Sequence, residues 1–443
     1  MLRSILLTAI FIVLMGWSFR RAWLGMLVWA WFSYMNPHRF AYGFAYNFPF
    51  VLITAIVTFV AWMSTKEEKR FPWTIETILE ALLCIWITVT TLFGVSTFVW
   101  DYWNRAIRVQ IMIFLTLWMM KSKFRLEALV WTIAGSIGFF GLKGGIFAIV
   151  TGGHYRVQGP EKSFLEGNNE IALAMVMVLP LIHYVQVQAT QRLLRHGMIA
   201  LQVLTVLAVL STYSRAGLLA LGAVAVLLWL KSRHKIALAV AMIVIAIPML
   251  KFMPSEWRAR MQTLQATDEE DLDASAKGRL NAWRFAVRYS MAHPILGGGF
   301  RVFITPEFFA YAPDPRDRHD AHSIYFETLG EHGFPGLILF LGLGISTWIT
   351  AMLVVRRAKK IPEMAWMVDM VGMAQVGLVG FAVGGAFAGL AFFDLPYHLM
   401  AIIILCKFLL RDHQRAMVRA ELARIEAAAL EAASQRPMAV PAG

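Results

Sequence analysis

Charge is what this sequence has least of. Only 16% of its 443 residues are Asp, Glu, Lys or Arg, the acids (28) are outnumbered by the bases (41), and there are just two cysteines. Cys84 and Cys406 both lie inside apolar runs, so they read as small packing residues, and a disulfide framework is excluded. Missing too are a phosphate-cradling nucleotide loop, a solenoid repeat and any polar stretch long enough for a soluble domain. A soluble fold of this length could not hide a chain that is 58% hydrophobic. Its mean hydropathy is +0.60.

What is present is a series of apolar runs, among them 236–250, 338–355 and 399–410, near or at the length of a bilayer crossing. In hydrocarbon each backbone amide must be satisfied within its own segment, so such runs are helices. The expected fold is an all-α polytopic membrane protein of about twelve transmembrane helices with a large helical periplasmic loop. Aromatic residues make up 13% of the chain, and Trp and Tyr often stand at segment ends, as in interfacial belts. The net charge of +13 does not point to nucleic acid, because the basic residues fall in short loops between apolar runs. The N-terminal apolar run imitates a signal peptide, but no small-residue cleavage site precedes Arg20 and Arg21, so it reads as a retained span.

The basic loops at 66–70, 121–125, 192–196, 231–235 and 356–360, with the tail after Lys407, are expected on the cytoplasmic side. Alternation then puts the stretches near Asp101, 152–169, 213–215, 253–334 and 392–398 on the opposite face, the periplasm if the host is Gram-negative. The count is twelve or thirteen, depending on two short segments flanking Arg20 and Arg21. Five regions follow: N-terminal spans over 1–130, spans with short outer loops over 131–252, the large loop 253–334, C-terminal spans over 335–410, and a helix with a disordered end over 411–443. Loops as long as 253–334 without a role are uncommon, and Trp257, Leu264, Trp283 and Phe285 among its charges suggest amphipathic helices at the membrane mouth.

Within that loop the most informative run is 320–336. Asp320 reads as an N-cap, with Gly333 and Pro335 as stop signals, so a short helix is expected between them. His322 then falls in its first turn, where unpaired amides and the macrodipole disfavour the imidazolium and leave a neutral base. A histidine there could equally only cap or pack. The run 314–322 also gathers Asp314, Asp317, His319, Asp320 and His322, types that suit a divalent metal, but Arg316 and Arg318 would repel a cation. The first outer loop, 36–49, has no Asp or Glu. No metal and no cofactor is therefore expected. Lys143 lies within an apolar run near its outer end, where snorkelling competes with function. Arg284 and Arg288 share a helix face, and Asp369 and Asp394 carry no assignment.

His322-Ser323, Gly333 and Gly336 at their spacing resemble the signature of the O-antigen ligase family, which shares a region with O-antigen polymerases and bacterial protein O-oligosaccharyltransferases. Arg156-Val157-Gln158-Gly159 with Asn168-Asn169 and Pro180, Ser214-Arg215-Ala216-Gly217, Gly278-Arg279, Trp283, His293-Pro294 and Gly297 to Phe300 resemble further marks of that family, roughly over 150–410. Some relatives with this type of N-terminal region are labelled O-glycosylation ligases.

The resemblance implies an inverting, metal-independent glycosyltransferase at the periplasmic face of the inner membrane. Its donor would be a glycan on undecaprenyl pyrophosphate and its acceptor a hydroxyl of the lipid A-core oligosaccharide. His322 would be the general base. Arg215 and Arg279, with Arg156, would hold the pyrophosphate, whose oxygens suit the planar guanidinium fork. A lateral cleft would admit the polyprenyl chain from the surrounding lipids. Protein O-oligosaccharyltransferase and O-antigen polymerase are alternatives within the class. A flippase or transporter, from another class, would show charges buried at mid-span and internal repeats.

Overall fold

The computed structural model describes residues 1–232, 235–236, 239–240, 243–244, 247, 253–262 and 274–434. The run at 236–250 is thus mostly outside the described residues, as are Leu264 and the tail at 437–443. All regular structure among the described residues is helical. The chain forms α1 (Leu2–Arg20), α2 (Ala22–Met35), α3 (Phe50–Ser64), α4 (Ile75–Leu92), α5 (Val99–Met119), α6 (Lys123–Val150), α7 (Asn168–Gln188), α8 (Arg192–Leu210) and α9 (Arg215–Lys231). Further along the chain come α10 (Ser255–Gln262), α11 (Ala274–Ala292), the short α12 (Glu307–Tyr311), α13 (Ile324–Ala358), α14 (Ala365–Gly385) and α15 (Asp394–Ser434).

Seven helices among the described residues are long and apolar enough to cross a membrane, and α2 and α3 are shorter apolar helices. The figure of about twelve expected from hydropathy is therefore not reached by length and composition. One reason lies in α5, which has 21 residues but carries Asp101, Arg105 and Arg108 in its first half. Another is that the run at 236–250 lies mostly outside the described residues.

Small residues let these helices approach closely, as expected where lipid gives little hydrophobic drive between helices. A Cβ at Gly377 of α14 would lie 2.8 Å from both Met177 O of α7 and Leu399 Cδ1 of α15, so α14 sits between those two. Gly145 of α6 rests on the backbone of Leu204 in α8. The middle of α7, from Ile171 to Ile182, is buried throughout.

Two ends of the bundle are defined by polar contacts. At one, Arg125 pairs with Glu67 at 2.7 Å, Lys121 Nζ donates to the carbonyls of Glu68 and Arg70, and Arg70 pairs with Asp412 at 3.2 Å. This gathers the basic loops at 66–70 and 121–125 with the end of the last apolar run. Nearby, Lys407 Nζ lies 3.0 Å from both carboxylate oxygens of Glu76 and 3.1 Å from Thr350 Oγ1, joining α4, α13 and α15. At the other end the 94–98 turn meets the large loop, with Val95 N donating to Gly298 O at 3.0 Å. The helix expected after 411 is continuous with the last span, forming one 41-residue α15.

The large loop is helical at both described ends and builds its own small core. Phe285, Tyr289, Val302, Phe303 and Phe308 are buried there beside Ala321. Trp257 of α10 donates its indole N–H to Leu210 O at 3.0 Å and so anchors that helix to the end of α8.

Two expectations about 320–336 need correction. The helix starts after Ser323, not Asp320, so His322 precedes the N-cap. Helix also resumes after Gly333, whose φ of 67° and ψ of −172° break α13 into a short outer piece and a long apolar one. The stop signal is real, but Pro335 then sits in the first turn of the following piece, where its missing N–H costs little. His332, at the end of the expected helix, is fully buried: Thr90 Oγ1 lies 2.7 Å from its Nδ1, its carbonyl accepts from Trp86 at 2.8 Å, and Phe300 and Phe392 flank its ring.

A side chain at Gly333 would meet two obstacles. Its φ is left-handed, and a Cβ would collide with Ile295 O. Gly333→Ala should therefore destabilise the fold by about 1–3 kcal/mol. Gly344→Ala, which meets nothing within 4 Å, should be neutral or better. Thermal unfolding in detergent tests this, and equal midpoints for the two variants would refute the account of the kink.

Candidate functional site

The outer piece of α13 is fixed by its neighbours. Backbone amides of Gly298 and Gly299 donate to the carbonyls of Gly330 and Glu331, at 3.0 and 2.8 Å, and Phe334 N donates to Pro294 O at 2.9 Å. Gly297 and Gly299 both have positive φ, and a Cβ on Gly299 would lie 2.6 Å from Gly94 Cα. The glycine run thus threads backbone between the α13 kink and the 94–98 turn.

His322 is presented just ahead of this helix with φ 42°, an uncommon conformation for a residue with a side chain. Three contacts fix the segment leading to it. Asn281 Nδ2 donates to the carbonyls of Asp314 and Asp317, at 2.7 and 2.9 Å, while its Oδ1 accepts from Asp314 N at 2.9 Å. Trp283 Nε1 donates to Ala321 O at 2.7 Å, and its ring stacks on Phe326 with centroids 4.9 Å apart. Asp320 pairs with Arg301 Nη1 at 2.7 Å.

The imidazole of His322 is held below the usual histidine pKa, chiefly by burial and then by the charge of Arg279, with His319 adding to the effect and Asp320 and Glu170 opposing it. Arg279 is therefore close enough to His322 to act on its protonation. It lies in α11 next to Gly278, where any side chain would collide with the His319 ring. That packing explains why glycine precedes the arginine. The carboxylates once weighed as metal ligands are otherwise engaged: Asp320 with Arg301, Asp317 with His319 at 2.8 Å, and Asp314 Oδ1 with Arg316 N at 3.0 Å. Among the described residues no group of three or more His, Cys, Asp or Glu is arranged to hold a metal ion.

Arg215 is buried at the first position of α9. Ser214 caps the helix by accepting from Gly217 N at 2.9 Å, and donates to Asn169 Oδ1 at 2.7 Å, while Asn168 Nδ2 reaches Thr212 O at 3.0 Å. The Asn-Asn pair that opens α7 therefore sets the turn before Arg215. The end of α14 links this turn to His322. A Cβ on Gly384 would lie 3.7 Å from Ala216 O, and one on Gly385 2.6 Å from Ile324 Cδ1. Arg156 stands 5.5 Å over the Tyr213 ring, two residues before Arg215, and with Lys143 it lines a cleft of about 240 Å³ walled by Phe40, Phe140 and Phe147.

So the structure brings Arg279 to His322 and Arg156 to the turn preceding Arg215, and it sets both groups at one end of α14. Glu170, Asn281, Arg301 and Glu327 also belong to this region and were not singled out from sequence. Glu327 lies one turn into α13, where a Cβ on Gly389 would be 3.5 Å from its Oε2 and 3.8 Å from His322 Cα. The only sequence signal for Arg301 was its place directly after the Gly297–Phe300 motif.

Below His322 runs an apolar groove of about 260 Å³ between α13, α14 and α15, lined by Ile324, Tyr325, Phe340, Trp348, Leu378 and Met400 among others. Its upper end begins two residues from the histidine.

Removal of Asn281 would release three hydrogen bonds to the 314–317 backbone. Asn281→Ala should therefore speed tryptic cleavage after Arg316 and Arg318 by about tenfold, taking roughly 1 kcal/mol as the net value of a bond and partial compensation by water. Mapping cleavage products by mass spectrometry checks this. Unchanged rates would show that the segment is held by other contacts.

Residues 2–190 match a family of unknown function (DUF5935). No curated protein matches the chain. The motif at 156–180 thus falls in that first family, whereas Arg215, Arg279 and His322 fall in a second match. That match, over residues 200–341, is to the O-Antigen ligase family.

Proposed function

We propose that this protein transfers a glycan from undecaprenyl pyrophosphate to a hydroxyl acceptor at the periplasmic face of the inner membrane, with the lipid A-core as the acceptor. The observation that carries the reading is a half-buried histidine, its pKa lowered by burial and by Arg279, two residues ahead of an apolar groove whose lining begins at Ile324. It lies in a segment matched by the O-Antigen ligase family.

His322 takes the proton from the acceptor hydroxyl, whose oxygen attacks the anomeric carbon as the bond to the pyrophosphate oxygen breaks. The single displacement inverts that centre. Negative charge grows on the leaving pyrophosphate, and Arg279 and Arg215 neutralise it with forks matched to phosphate oxygens, Arg156 assisting. The groove below His322 receives the first isoprene units of the donor. Protein O-oligosaccharyltransferase and O-antigen polymerase differ from this reading only in the acceptor. No ATP or other cofactor is needed, because the pyrophosphate is already a good leaving group.

One observation favours the transporter reading. Glu80 is buried in the middle of α4 with its Oε1 unpartnered among the described residues, and an intramembrane carboxylate is by default a functional candidate. It stands one turn from the Glu76–Lys407 pair rather than in a row of such groups, so it carries less weight than the cluster at His322. Movement of a labelled lipid-linked glycan across vesicles by a His322→Ala variant would favour transport.

The direct test is incubation of purified protein with lipid-linked glycan and each acceptor in turn. His322→Ala should abolish transfer and leave donor binding and the melting point intact. His332→Ala should instead lower the melting point through loss of buried packing. Transfer should survive EDTA. Because the His322 pKa is lowered, the base form persists below pH 6.5, and the acid limb of kcat/KM should lie under that value. Arg279→Gln removes a repelling charge and should move the limb upward. A limb at or above 6.5 in the wild type, or one unmoved in the variant, would reject His322 as the base.

Arg215→Lys and Arg279→Lys keep the charge but lose the fork. With a charged hydrogen bond contributing about 1.5–3 kcal/mol, each should slow transfer by roughly ten- to a hundredfold. Rates near wild type for both, measured across donor concentrations, would reject the clamp.

A further inference from the structure

The N-terminal region has so far been given no chemistry, yet α5 brings three features to the same end of the bundle as His322. First, its outer half carries Asp101, Tyr102, Asn104, Arg105 and Arg108, and these line an open cleft of about 520 Å³ whose far wall is Arg301 and Ile304. Second, Tyr102 lies between two guanidinium groups, with Arg105 5.1 Å and Arg301 4.9 Å from its ring centroid. The ring holds both cations at the cleft by cation–π attraction. Third, Arg301 is bonded to Asp320, two residues before His322.

Two of these cations are not used up within the protein. Arg105 and Arg108 are exposed, and neither pairs with a carboxylate among the described residues. The turn before α5 is bonded to Gly298, so these arginines stand at the end opposite the basic loops. The positive-inside bias does not account for arginine there. Arg301 is already paired with Asp320, which leaves two guanidiniums, Arg105 and Arg108, against one carboxylate, Asp101, so the cleft keeps a net positive charge suited to an anion. Its other lining groups are those that hold sugars: an aromatic edge from Phe98 and Tyr102, and an amide and a carboxylate from Asn104 and Asp101 that can bond hydroxyls.

We propose that this cleft binds a phosphorylated saccharide, with Arg105 and Arg108 on the phosphate and Arg301 joining the bound sugar to the His322 segment. The sugar would belong to the acceptor, which must approach His322 from outside the apolar groove; that assignment rests on the transfer reading, whereas the binding site itself does not. The same phosphate chemistry could come from an anionic phospholipid headgroup, so the test has an arm for each source.

The full-length protein is placed in nanodiscs of phosphatidylcholine and titrated calorimetrically with a glucosamine disaccharide monophosphate, and with the same disaccharide after phosphatase treatment. The phosphorylated sugar should bind wild type and His322→Ala alike. Affinity should fall about tenfold or more in Arg105→Gln and in Arg108→Gln, and by a similar factor when the phosphate is removed. It should also weaken as salt is raised, because the arginines are exposed. Equal affinity for the two variants, or for the dephosphorylated sugar, would overturn the proposal. So would absence of sugar binding in neutral discs together with a melting-point rise on adding phosphatidylglycerol that the two variants lose, since the cleft would then be a headgroup site. Phosphate-dependent binding in a protein that transfers glycan to no acceptor would leave the cleft standing and reject the transfer reading instead.

Discussion

The outer end of this protein depends on one backbone crossing. Residues 297–299 pass between the kink of α13 and the turn before α5, donating to the carbonyls of Gly330 and Glu331 on one side and accepting from Val95 on the other. Main chain meets main chain here with almost no intervening side chain, because Gly94, Gly297, Gly299 and Gly333 stand at the contact. The crossing sets the height at which α13 breaks. That height in turn decides where Ser323 can cap the outer piece and where His322 must bend into a left-handed conformation to reach it. The buried His332, bonded to Thr90 and covered by Phe300 and Phe392, closes the same joint from the membrane side.

Charge is distributed according to what each end must do. At the basic-loop end several basic side chains are paired or bonded to carbonyls, as with Arg125 and Glu67 or Lys121 and the 68–70 backbone. At the other end Arg105 and Arg108 are exposed in an open cleft and pair with no carboxylate among the described residues. A lipid pyrophosphate and a phosphorylated sugar are both multiply anionic, so a protein acting on either needs cations it has not already neutralised. In the proposed reading the two ligands arrive by different routes, one along the apolar groove and one from the cleft beside α5, and meet at His322.

Much of this was legible in the sequence because membrane helices and family motifs leave strong local signals. Long apolar runs announced an all-helical fold, and basic loops sorted the ends correctly where they touch. His322 and Arg279 were both singled out, and they do come together. What could not be read was tertiary. Asp320 has the composition of an N-cap, but its ion pair with Arg301, 19 residues away in sequence, moves the cap to Ser323. The burial of His332 depends on Trp86 and Thr90, over 240 residues distant. The cleft at α5 had no sequence signal, since only the position of its arginines against Arg301 reveals it. The helix count fell short where α5 mixes charge with apolar residues.

The last helix has a mechanical meaning. α15 begins at Asp394, whose neighbours Phe392 and Phe393 pack at the outer joint, and continues without a break to Ser434. At the rise of an α-helix, 41 residues make a rod about 60 Å long, well beyond the thickness of the bilayer. From Arg415 to Glu431 the helix is exposed, so nearly half of the rod projects clear of the bundle. Lys407 and Asp412, paired with Glu76 and Arg70, hold it like a collar where it leaves, and the projecting part reaches about 30 Å beyond. A pull on the tip therefore meets the collar before it reaches the packing of Phe392 on His332 at the other end.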